Sequence, residues 1–169
     1  MRLSVFLAIM NTAYLLIGGN LGDRKMNLQQ ATTYISEQCG HVLQLSSLYE
    51  TAAWGKTDQP PFLNQAVKIS TKLNAKQLIR KLLKIEITMG RIREEKMGPR
   101  IIDIDILFFN NEILELRFLK IPHPEIQNRR FALVPLAEIE PTLLHPVLKK
   151  SVVQLLDTCP DKLEVKKIA

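Results

Sequence analysis

Cysteines are few, and internal repeats and long hydrophobic runs are missing, in this chain of 169 residues. The two cysteines, Cys39 and Cys159, lie far apart and outside any CxxC spacing, so a disulfide framework is unsupported. Lone thiols of this kind are typical of a reducing cytoplasm, where we expect the protein to reside. Since no linker or low-complexity segment interrupts the chain, the sequence predicts one domain over residues 1–169.

The first residues carry the only pattern that resembles a targeting signal. Leu3–Met10 is apolar and follows Arg2, as in a short signal peptide. The run lacks a clear small-residue cleavage site, a strand pattern begins at Ala13, and the run is too short to span a membrane. The sequence therefore favours an N-terminal extension over residues 1–12, with Met10 as an alternative start.

Positive charge exceeds negative charge, with a formal net charge of +6 and a pI near 9.4. This balance favours anionic partners, either nucleic acid or small phosphorylated ligands. Many of the cations fall in Arg80–Arg100 and Arg117–Arg130. Ordinary surface charge accounts for the helical share of them, but accounts less well for the loop at 91–96.

The usual nucleotide-binding signatures are also missing. The chain contains neither a P-loop sequence nor the glycine-rich signature of protein kinases. Gly18-Gly19-Asn20-Leu21-Gly22 is rich in glycine, but it is too short and irregular for a dinucleotide fingerprint. By itself this segment marks a turn.

The predicted elements follow the order strand, helix, strand, strand, helix, strand, which is typical of the ferredoxin-like α+β plan. Apolar runs and alternation predict strands at 13–18, 41–50, 62–72 and 101–109. Helical spacing predicts one helix from Asp23 to a stop at Gly40, and another from Asn74 to Gly90. Asn110-Asn111 resembles a hairpin turn into 113–116, and short helices are expected near 129–136 and 149–156.

Two acids in the last long strand are the sharpest local signal. Alternate side chains of a strand share a face, so Asp103 and Asp105 project together. The opposite face carries apolar residues that we expect in the core, namely Ile102, Ile104, Ile106 and Phe108. Neighbouring carboxylates repel each other unless a cation lies between them, and Mg²⁺ suits such ligands. The alternative is a solvent-facing edge strand.

Cations flank these acids. A bend at Gly98-Pro99 separates the strand from a first group, which comprises Arg91, Arg93, Lys96 and Arg100. Acids that hold Mg²⁺ beside cations that grip phosphate oxygens are the parts that phosphoryl transfer needs. A second group would reach the same phosphates or be ordinary surface charge, namely Lys120, His123, Arg129 and Arg130.

Aromatic residues form a third, weaker signal. Phe62 and Asn64 share a strand face, and Phe131 lies beside the second basic group. Two rings would hold a flat heterocycle by stacking, and an amide would read its edge. Spacing alone favours two phenylalanines in the core.

Ten short segments between about Ala13 and Pro146 form one ordered pattern. They are Ile17–Arg24, Ser47–Thr51, Trp54–Pro60, Phe62–Asn64, Ile85–Glu86, Gly90–Arg93, Gly98–Asp105, Ile121–Pro124, Asn128–Phe131 and Leu133–Leu136. In order and spacing they resemble the 6-hydroxymethyl-7,8-dihydropterin pyrophosphokinase family. The segments Gly98–Asp105 and Ile121–Pro124 are the most specific to it.

The resemblance implies a fold and a reaction. The fold would be a ferredoxin-like α/β/α sandwich, an antiparallel sheet with helices packed on both sides. The hydroxymethyl oxygen of the dihydropterin would attack the β-phosphorus of ATP and release AMP, a step of folate biosynthesis. The resemblance further implies two Mg²⁺ ions, ATP as co-substrate, a monomer in the cytoplasm, and neither a nucleic-acid nor a membrane partner.

The resemblance also implies residue roles. The metal ligands would be Asp103 and Asp105, and Arg91 and Arg100 would stabilise charge on the transferring group. ATP would contact Lys96, Arg100, the backbone at Ile106, Lys120, His123 and Arg129. The pterin would lie between Phe62 and Phe131, bonded by Asn64 and by main chain near Thr51, Ala52 and Trp54. Glu86 would help to orient this site.

Departures from the family pattern lie beside these residues. Lys96 and Met97 stand where the family commonly has Arg-Trp, and Gly19 stands where it commonly has Ser. Lys keeps the charge but loses the bidentate fork, and Met lacks a flat ring to seal the loop. We expect looser closure of the loop Gly90–Pro99 and weaker substrate binding, with the chemistry retained. This loop is expected to be mobile without ligand and to close over ATP.

Two rival classes fit parts of the sequence. A nucleotidyltransferase also combines a glycine pair with two acids, but its acids follow the glycines much more closely than Asp103 follows Gly18. An RNA-binding domain would fit the high pI and the ferredoxin-like plan. It would need exposed aromatic residues on the sheet in an RNP pattern, which this sequence lacks.

Overall fold

The structure is a computed structural model that describes residues 9–169. Its strands are β1 Asn11–Gly19, β2 His41–Leu45, β3 Tyr49–Thr51, β4 Phe62–Thr71, β5 Asp103–Phe109, β6 Leu114–Glu115, β7 Lys120–Ile121 and β8 Val165–Lys167. Its helices are α1 Arg24–Gln38, α2 Ala75–Thr88, α3 Arg130–Ile139 and α4 Val152–Asp157, with a 3₁₀ turn at Ile126–Asn128. Residues 1–8 of the predicted N-terminal extension lie outside the described residues, whereas Asn11 and Thr12 already belong to β1.

Six strands form one antiparallel sheet with β1 and β4 at its centre. The strand order is β5-β1-β4-β3-β8, and β2 pairs with β4 beside β3. Every pairing in the sheet is antiparallel. Together with α1 and α2 in the connections, this order confirms the predicted ferredoxin-like α+β plan.

Helices cover both faces of the sheet. One core lies between the sheet and α1 and α2, where Leu15, Leu28 and Leu82 are fully or almost fully buried. The other lies between the sheet and α3 and α4, and includes Leu16 and Leu133. Because each face packs against its own helical layer, the predicted α/β/α sandwich is confirmed.

Local sequence explains why α2 begins and ends where it does. Asn74 and Gln77 form a reciprocal capping box, which satisfies backbone N–H groups at the start of the helix. Gly90, with φ of 89°, follows the helix in a conformation that favours glycine. The chain therefore turns sharply after α2 and brings Arg91 back against Glu86.

The face assignment of β5 needs one correction. The register with β1 shifts between Tyr14 and Leu15, so that Phe108 lies opposite Tyr14 and Ile106 lies opposite Leu15. Leu107 is the extra residue, and it joins Phe108 in the core on the α3 side. The expectation that Phe108 shares the face of Ile106 was wrong because strict alternation does not anticipate a β-bulge.

The end of the chain also differs from the sequence prediction. A turn does follow β5 at Asn110, but β6 pairs with β7 in a separate two-stranded sheet. The last strand, β8, was not predicted, and it pairs with β3 at the edge of the main sheet. Both pairings join segments whose local pattern is too short to identify the partner.

Candidate active site

A cavity of about 300 Å³ opens where the ends of β1, β4 and β5 meet two loops. We call residues 52–61, between β3 and β4, the first loop, and residues 89–102, between α2 and β5, the second loop. Most of the predicted site residues line this cavity, namely Thr51, Ala52, Trp54, Phe62, Asn64, Arg91, Arg100, Asp103, Asp105, His123, Arg129 and Phe131. Tertiary structure thus gathers residues from all three predicted signals.

The acid pair lies on the cavity wall. Asp103 and Asp105 share a face of β5, as alternation predicts, opposite Gly18 and Leu16 of β1. Burial, and then the charge of Asp103, raise the pKa of Asp105 to about 7. A cation between the two carboxylates would offset both costs, so the pair has the electrostatics of a divalent metal site.

The number of protein ligands also fits magnesium. Within residues 9–169, no group of three or more His, Cys, Asp or Glu side chains is arranged to hold a metal ion. Mg²⁺ is usually bound by one or two carboxylates and completes its shell with water and substrate phosphates. The pair Asp103 and Asp105 therefore suits an ion that is shared with a phosphorylated ligand.

Arg91 is held between two acids. Its Nη1 lies 2.7 Å from Oδ1 of Asp103 and 2.7 Å from Oε2 of Glu86. Glu86 is only 3% exposed, and its Oε1 accepts the N–H of Ile104 at 2.8 Å. Burial, and then the charge of Asp103, raise the pKa of Glu86, whereas Ile104 and Arg91 oppose this shift. Glu86 does not line the cavity, but its contact with Arg91 fixes the orientation of a side chain that does.

Arg100 contacts both Asp103 of the acid pair and the ring of Phe62. Its Nη2 lies 3.2 Å from Oδ2 of Asp103, and its guanidinium carbon lies 4.7 Å from the ring centre of Phe62. Its Nε is buried and has no hydrogen-bond partner within the described part of the chain, residues 9–169. A cation with an unused donor at this position is suited to an anionic ligand.

Three aromatic residues line the cavity, namely Trp54, Phe62 and Phe131, and we call them the aromatic wall. The ring centres of Trp54 and Phe131 lie 6.5 Å apart, and the guanidinium of Arg129 lies 5.1 Å from Trp54 and 5.8 Å from Phe131. Phe62 and Phe131 are both half-buried and line the cavity. Spacing alone favoured the core for these two phenylalanines, whereas β4 and α3 bring both rings to the cavity lining, and Phe131 also packs against the core on the α3 side.

Buried polar atoms lie next to this aromatic wall. Asn64 is 5% exposed and Thr51 is 2% exposed, and both line the cavity. Among residues 9–169, the hydroxyl of Thr51 has no hydrogen-bond partner. An orphaned buried hydroxyl is costly, so a ligand that bonds to it would gain affinity.

His123 and Arg129 bring the second basic group into the cavity. Burial, and then the charge of Arg129, lower the pKa of His123 to about 4, so this imidazole is neutral at pH 7. Its Nδ1 accepts the N–H of Glu125 at 3.1 Å. The proton is therefore assigned to Nε2, which lies 3.5 Å from Nη1 of Arg129. Because a guanidinium only donates, these two groups form no hydrogen bond in this tautomer, and Nε2 is able to donate to an acceptor such as a phosphate oxygen.

Some predicted residues lie outside the cavity lining. Lys96 is exposed in the second loop, and Lys120 pairs with Glu115 at 2.9 Å. The side chain of Ile106 is buried in the core on the α1 side. Neither Lys96 nor Lys120 lines the cavity together with the acid pair, although sequence reasoning grouped them with it.

The lining also includes Arg93 of the first basic group, and three residues without a predicted contact role, namely Leu16, Gly18 and Met97. Gly18 has a structural reason to be glycine, since a Cβ there would lie 2.0 Å from Oδ1 of Asn64. A glycine in the middle of an apolar strand is a signal that would have found this position.

The fold and the cavity define the class first. An α+β sandwich whose cavity combines an acid pair, the arginines Arg91, Arg100 and Arg129, and an aromatic wall is suited to bind a phosphorylated ligand beside a flat ring. The family model described as 7,8-dihydro-6-hydroxymethylpterin-pyrophosphokinase (HPPK) matches residues 14–141. The chain belongs to this family.

Relatives and solved structures agree with this assignment. The chain is 40% identical over 141 residues to 2-amino-4-hydroxy-6-hydroxymethyldihydropteridine pyrophosphokinase of Aquifex aeolicus, covering 83% of this chain and 88% of the relative. It is 45% identical over 130 residues to the protein of that name from Bacillus subtilis, covering 76% and 78%. Plasmodium falciparum HPPK-DHPS, solved by crystallography, matches with a TM-score of 0.71 at 20% identity and supports the fold. The match covers 88% of this chain and 43% of that one, so the chain spans less than half of the solved protein.

Proposed function

We propose that the chain transfers diphosphate from ATP to the hydroxymethyl oxygen of 6-hydroxymethyl-7,8-dihydropterin, giving AMP and the pterin diphosphate. Family membership supplies the reaction class, a diphosphokinase of folate biosynthesis. We further propose that residues 1–169 act as one domain, as a cytoplasmic monomer without a nucleic-acid or membrane partner. No helix within residues 9–169 is long and apolar enough to cross a bilayer.

One observation carries the proposal, which is the meeting of the acid pair and the aromatic wall in one cavity. Arg100 contacts Asp103 and Phe62 at the same time. A phosphate chain bound at the acid pair would therefore lie within about one side-chain length of a ring bound at the aromatic wall. This proximity is what the transfer of a group between two bound substrates requires.

Asp103 and Asp105 would hold Mg²⁺, which supplies positive charge to the phosphate oxygens when bound. Two ions are proposed from the family resemblance, and the acid pair is the protein's share of their ligands. The pKa of Asp105, about 7 in the metal-free protein, implies that metal binding releases its proton near neutral pH.

The pterin is proposed to lie between Phe62 and Phe131. Asn64 both donates and accepts, and the hydroxyl of Thr51, which has no partner within residues 9–169, offers one more polar contact to the ring edge. A ring that stacks on Phe62 takes the place that the Arg100 guanidinium occupies without ligand. Such stacking would release Arg100 toward the phosphates.

The arginines are proposed to stabilise the charge that builds on the transferring group. Arg91 is oriented by Glu86, and Arg100 and Arg129 both line the cavity. Nε2 of His123 donates one further hydrogen bond without adding charge. Lys96 and Lys120, which lie outside the lining, would contact ATP only from the rim.

The architecture weighs against RNA binding by the sheet. Helices pack on both faces of the sheet, through one core with α1 and α2 and another with α3 and α4. Ferredoxin-like domains that bind RNA stack bases on an open sheet face. No open face of this kind is left within residues 9–169.

The proposed function is tested by AMP formation from ATP and Mg²⁺, with and without the pterin. AMP is expected only when the pterin is present, and Asp103→Ala is expected to lose at least about 100-fold in kcat. AMP release without pterin would instead indicate a hydrolase. Folded wild type that makes no AMP under any condition would contradict the proposal.

Met97 provides a second test, in the second loop. Its side chain lies against Gly55 of the first loop and lines the cavity. Met97→Trp is expected to lower KM for the pterin by about 3- to 10-fold, because a larger ring buries more area over the substrate, with kcat changed less than about threefold. Met97→Leu, which preserves volume, is the control. Unchanged KM and kcat in Met97→Trp would refute looser closure by Met.

A further inference from the structure

Asn20, directly after β1, has a polar side chain that serves two loops at once. The residue is 4% exposed. Its Oδ1 accepts the N–H of Arg100 at 2.9 Å, and its own N–H donates to the carbonyl of Arg100 at 3.0 Å. Its Nδ2 donates to Oε1 of Gln59 and to the carbonyl of Pro60, both at 2.9 Å. One buried amide thus ties β1 to both loops.

Gln59 extends this connection across the cavity mouth. Its Nε2 donates to the carbonyl of Met97 at 2.9 Å and to the carbonyl of Lys56 at 2.8 Å. The first of these bonds crosses from the first loop to the second, and the other fixes the turn of the first loop. The Gln59 amide therefore uses donor and acceptor groups in a single bridge.

The loops also touch beside this bridge. The terminal carbon of Met97 lies so close to Gly55 that a Cβ there would approach it to 2.4 Å. Lys56 and Glu95 form a largely exposed ion pair. An exposed pair contributes little to stability, so the hydrogen bonds of the buried Asn20 and the half-buried Gln59 are the stronger link.

The backbone held by these hydrogen bonds is that of Arg100, a residue of the site. Arg100 is fixed through both its N–H and its carbonyl, and its side chain extends to Asp103 and Phe62. A Cβ on Gly19 would lie 2.1 Å from the carbonyl of Ile101, so β1 approaches the second loop closely at this point. Movement of the bridge would shift the Arg100 guanidinium directly.

We propose that Asn20 and Gln59 form an interloop clasp that positions Arg100 for diphosphate transfer. Both act as positioning residues, since neither lines the cavity. This inference rests on the proposed function, which it deepens by assigning a role to two residues outside the predicted site. Because the clasp controls the orientation of a group that stabilises transferring charge, its loss reduces kcat more than it raises KM.

The variants separate hydrogen bonding from packing. Gln59→Glu keeps the volume and the acceptor for Asn20, but loses the donors and places a carboxylate near the carbonyls of Met97 and Lys56. Gln59→Ala removes the whole amide. Asn20→Asp keeps the acceptor for the Arg100 N–H and loses both donors, so it breaks the clasp from the other side. Gln154→Ala is the matched control, because it removes a capping glutamine of α4, away from the cavity.

The expected result is a fall in kcat of about 10- to 100-fold for all three clasp variants, with KM for ATP within about threefold of wild type. Amide hydrogen exchange in residues 95–100 is expected to accelerate in the same variants and to stay unchanged in Gln154→Ala. Wild-type kcat in Gln59→Glu would overturn the clasp, as would unchanged exchange in residues 95–100.

AMP formation by wild type tests the proposed function, whereas amide exchange and kcat in the variants test the clasp. If wild type makes no AMP, the proposed function fails, while exchange still reports whether the clasp orders the second loop. If wild type is active and the clasp variants lose thermal stability without a greater fall in kcat than Gln154→Ala, positioning is refuted. A folded Asn20→Asp variant keeps the test valid if Gln59→Ala does not fold.

Discussion

Asp105→Asn is expected to abolish diphosphate transfer and, at the same time, to stabilise the metal-free protein at pH 8. Loss of a proposed metal ligand removes several kcal/mol of charge stabilisation, so kcat is expected to fall on the order of 10³-fold. The neutral amide also removes a partly buried charge that lies beside Asp103. Kinetic assays and thermal unfolding without metal measure the two effects on the same preparation.

The sign of the stability effect follows from the raised pKa of Asp105. Its pKa is about 7 in the folded protein and near 3.8 when unfolded, so the unfolded state releases the proton first as pH rises. The cost of this charge is absent below pH ~4, grows between pH ~4 and ~7, and is fully present above ~7. At pH 8 we expect Asp105→Asn to gain on the order of 1–3 kcal/mol and to raise Tm by roughly 2–8 °C.

Conditions and a control separate this effect from general stabilisation. The Tm advantage of Asp105→Asn is expected to vanish near pH 4. Added Mg²⁺ and an ATP analogue should narrow it at pH 8, because they stabilise only wild type. Glu37→Gln neutralises an exposed acid of α1 and should change neither Tm nor kcat. Equal Tm for wild type and Asp105→Asn at pH 8 would contradict the raised pKa of Asp105 in the folded protein.

Arg91→Met is expected to destabilise the protein by about 3–5 kcal/mol, the cost of removing one partner of a buried ion pair. Glu86 is 3% exposed and would lose the guanidinium that lies 2.7 Å from its Oε2. The same change would leave Asp103 without its closest cation. Chemical denaturation measures the loss of stability, and kcat is expected to fall at least about 100-fold.

A second variant distinguishes stability from catalysis. Glu86→Gln keeps an acceptor for the Ile104 N–H and removes the charge that Arg91 balances. The double variant Arg91→Met/Glu86→Gln is expected to recover most of the lost stability, because no unpaired charge remains at Glu86, while kcat stays low. If the double variant recovered kcat as well, Arg91 would have no direct part in transfer. Additive losses of stability would contradict the buried pair.

The chemistry of the site was readable from local sequence to different degrees. Asp103 and Asp105 were predictable because strand alternation alone places them on one face. Arg91 and Arg100 followed from their proximity to those acids in the chain. The meeting of Phe62 and Phe131 in one cavity was not predictable from spacing, since the two positions are 69 residues apart and only β4 and α3 bring the rings to the same lining.

Other features depended on contacts that leave no local pattern. The roles of Asn20 and Gln59 arise from hydrogen bonds across 39 residues, and either side chain alone reads as an ordinary turn residue. The β-bulge at Leu107 moved Phe108 to the other core, because register depends on the neighbouring strand. The same holds for β8, a short segment that becomes a strand by pairing with β3.

The sequence by itself determined the order of strands and helices from β1 to β5, the starts of α1 and α2, the shared face of Asp103 and Asp105 and, through its ordered segments, the family. These features rest on short-range periodicity, capping chemistry and motif spacing, which neighbouring residues specify. Only the tertiary structure decided which cations reach the acids, which aromatic residues leave the core, and how the two loops are joined. Those outcomes depend on distances between residues far apart in the chain, and packing of the sheet against its two helical layers sets those distances.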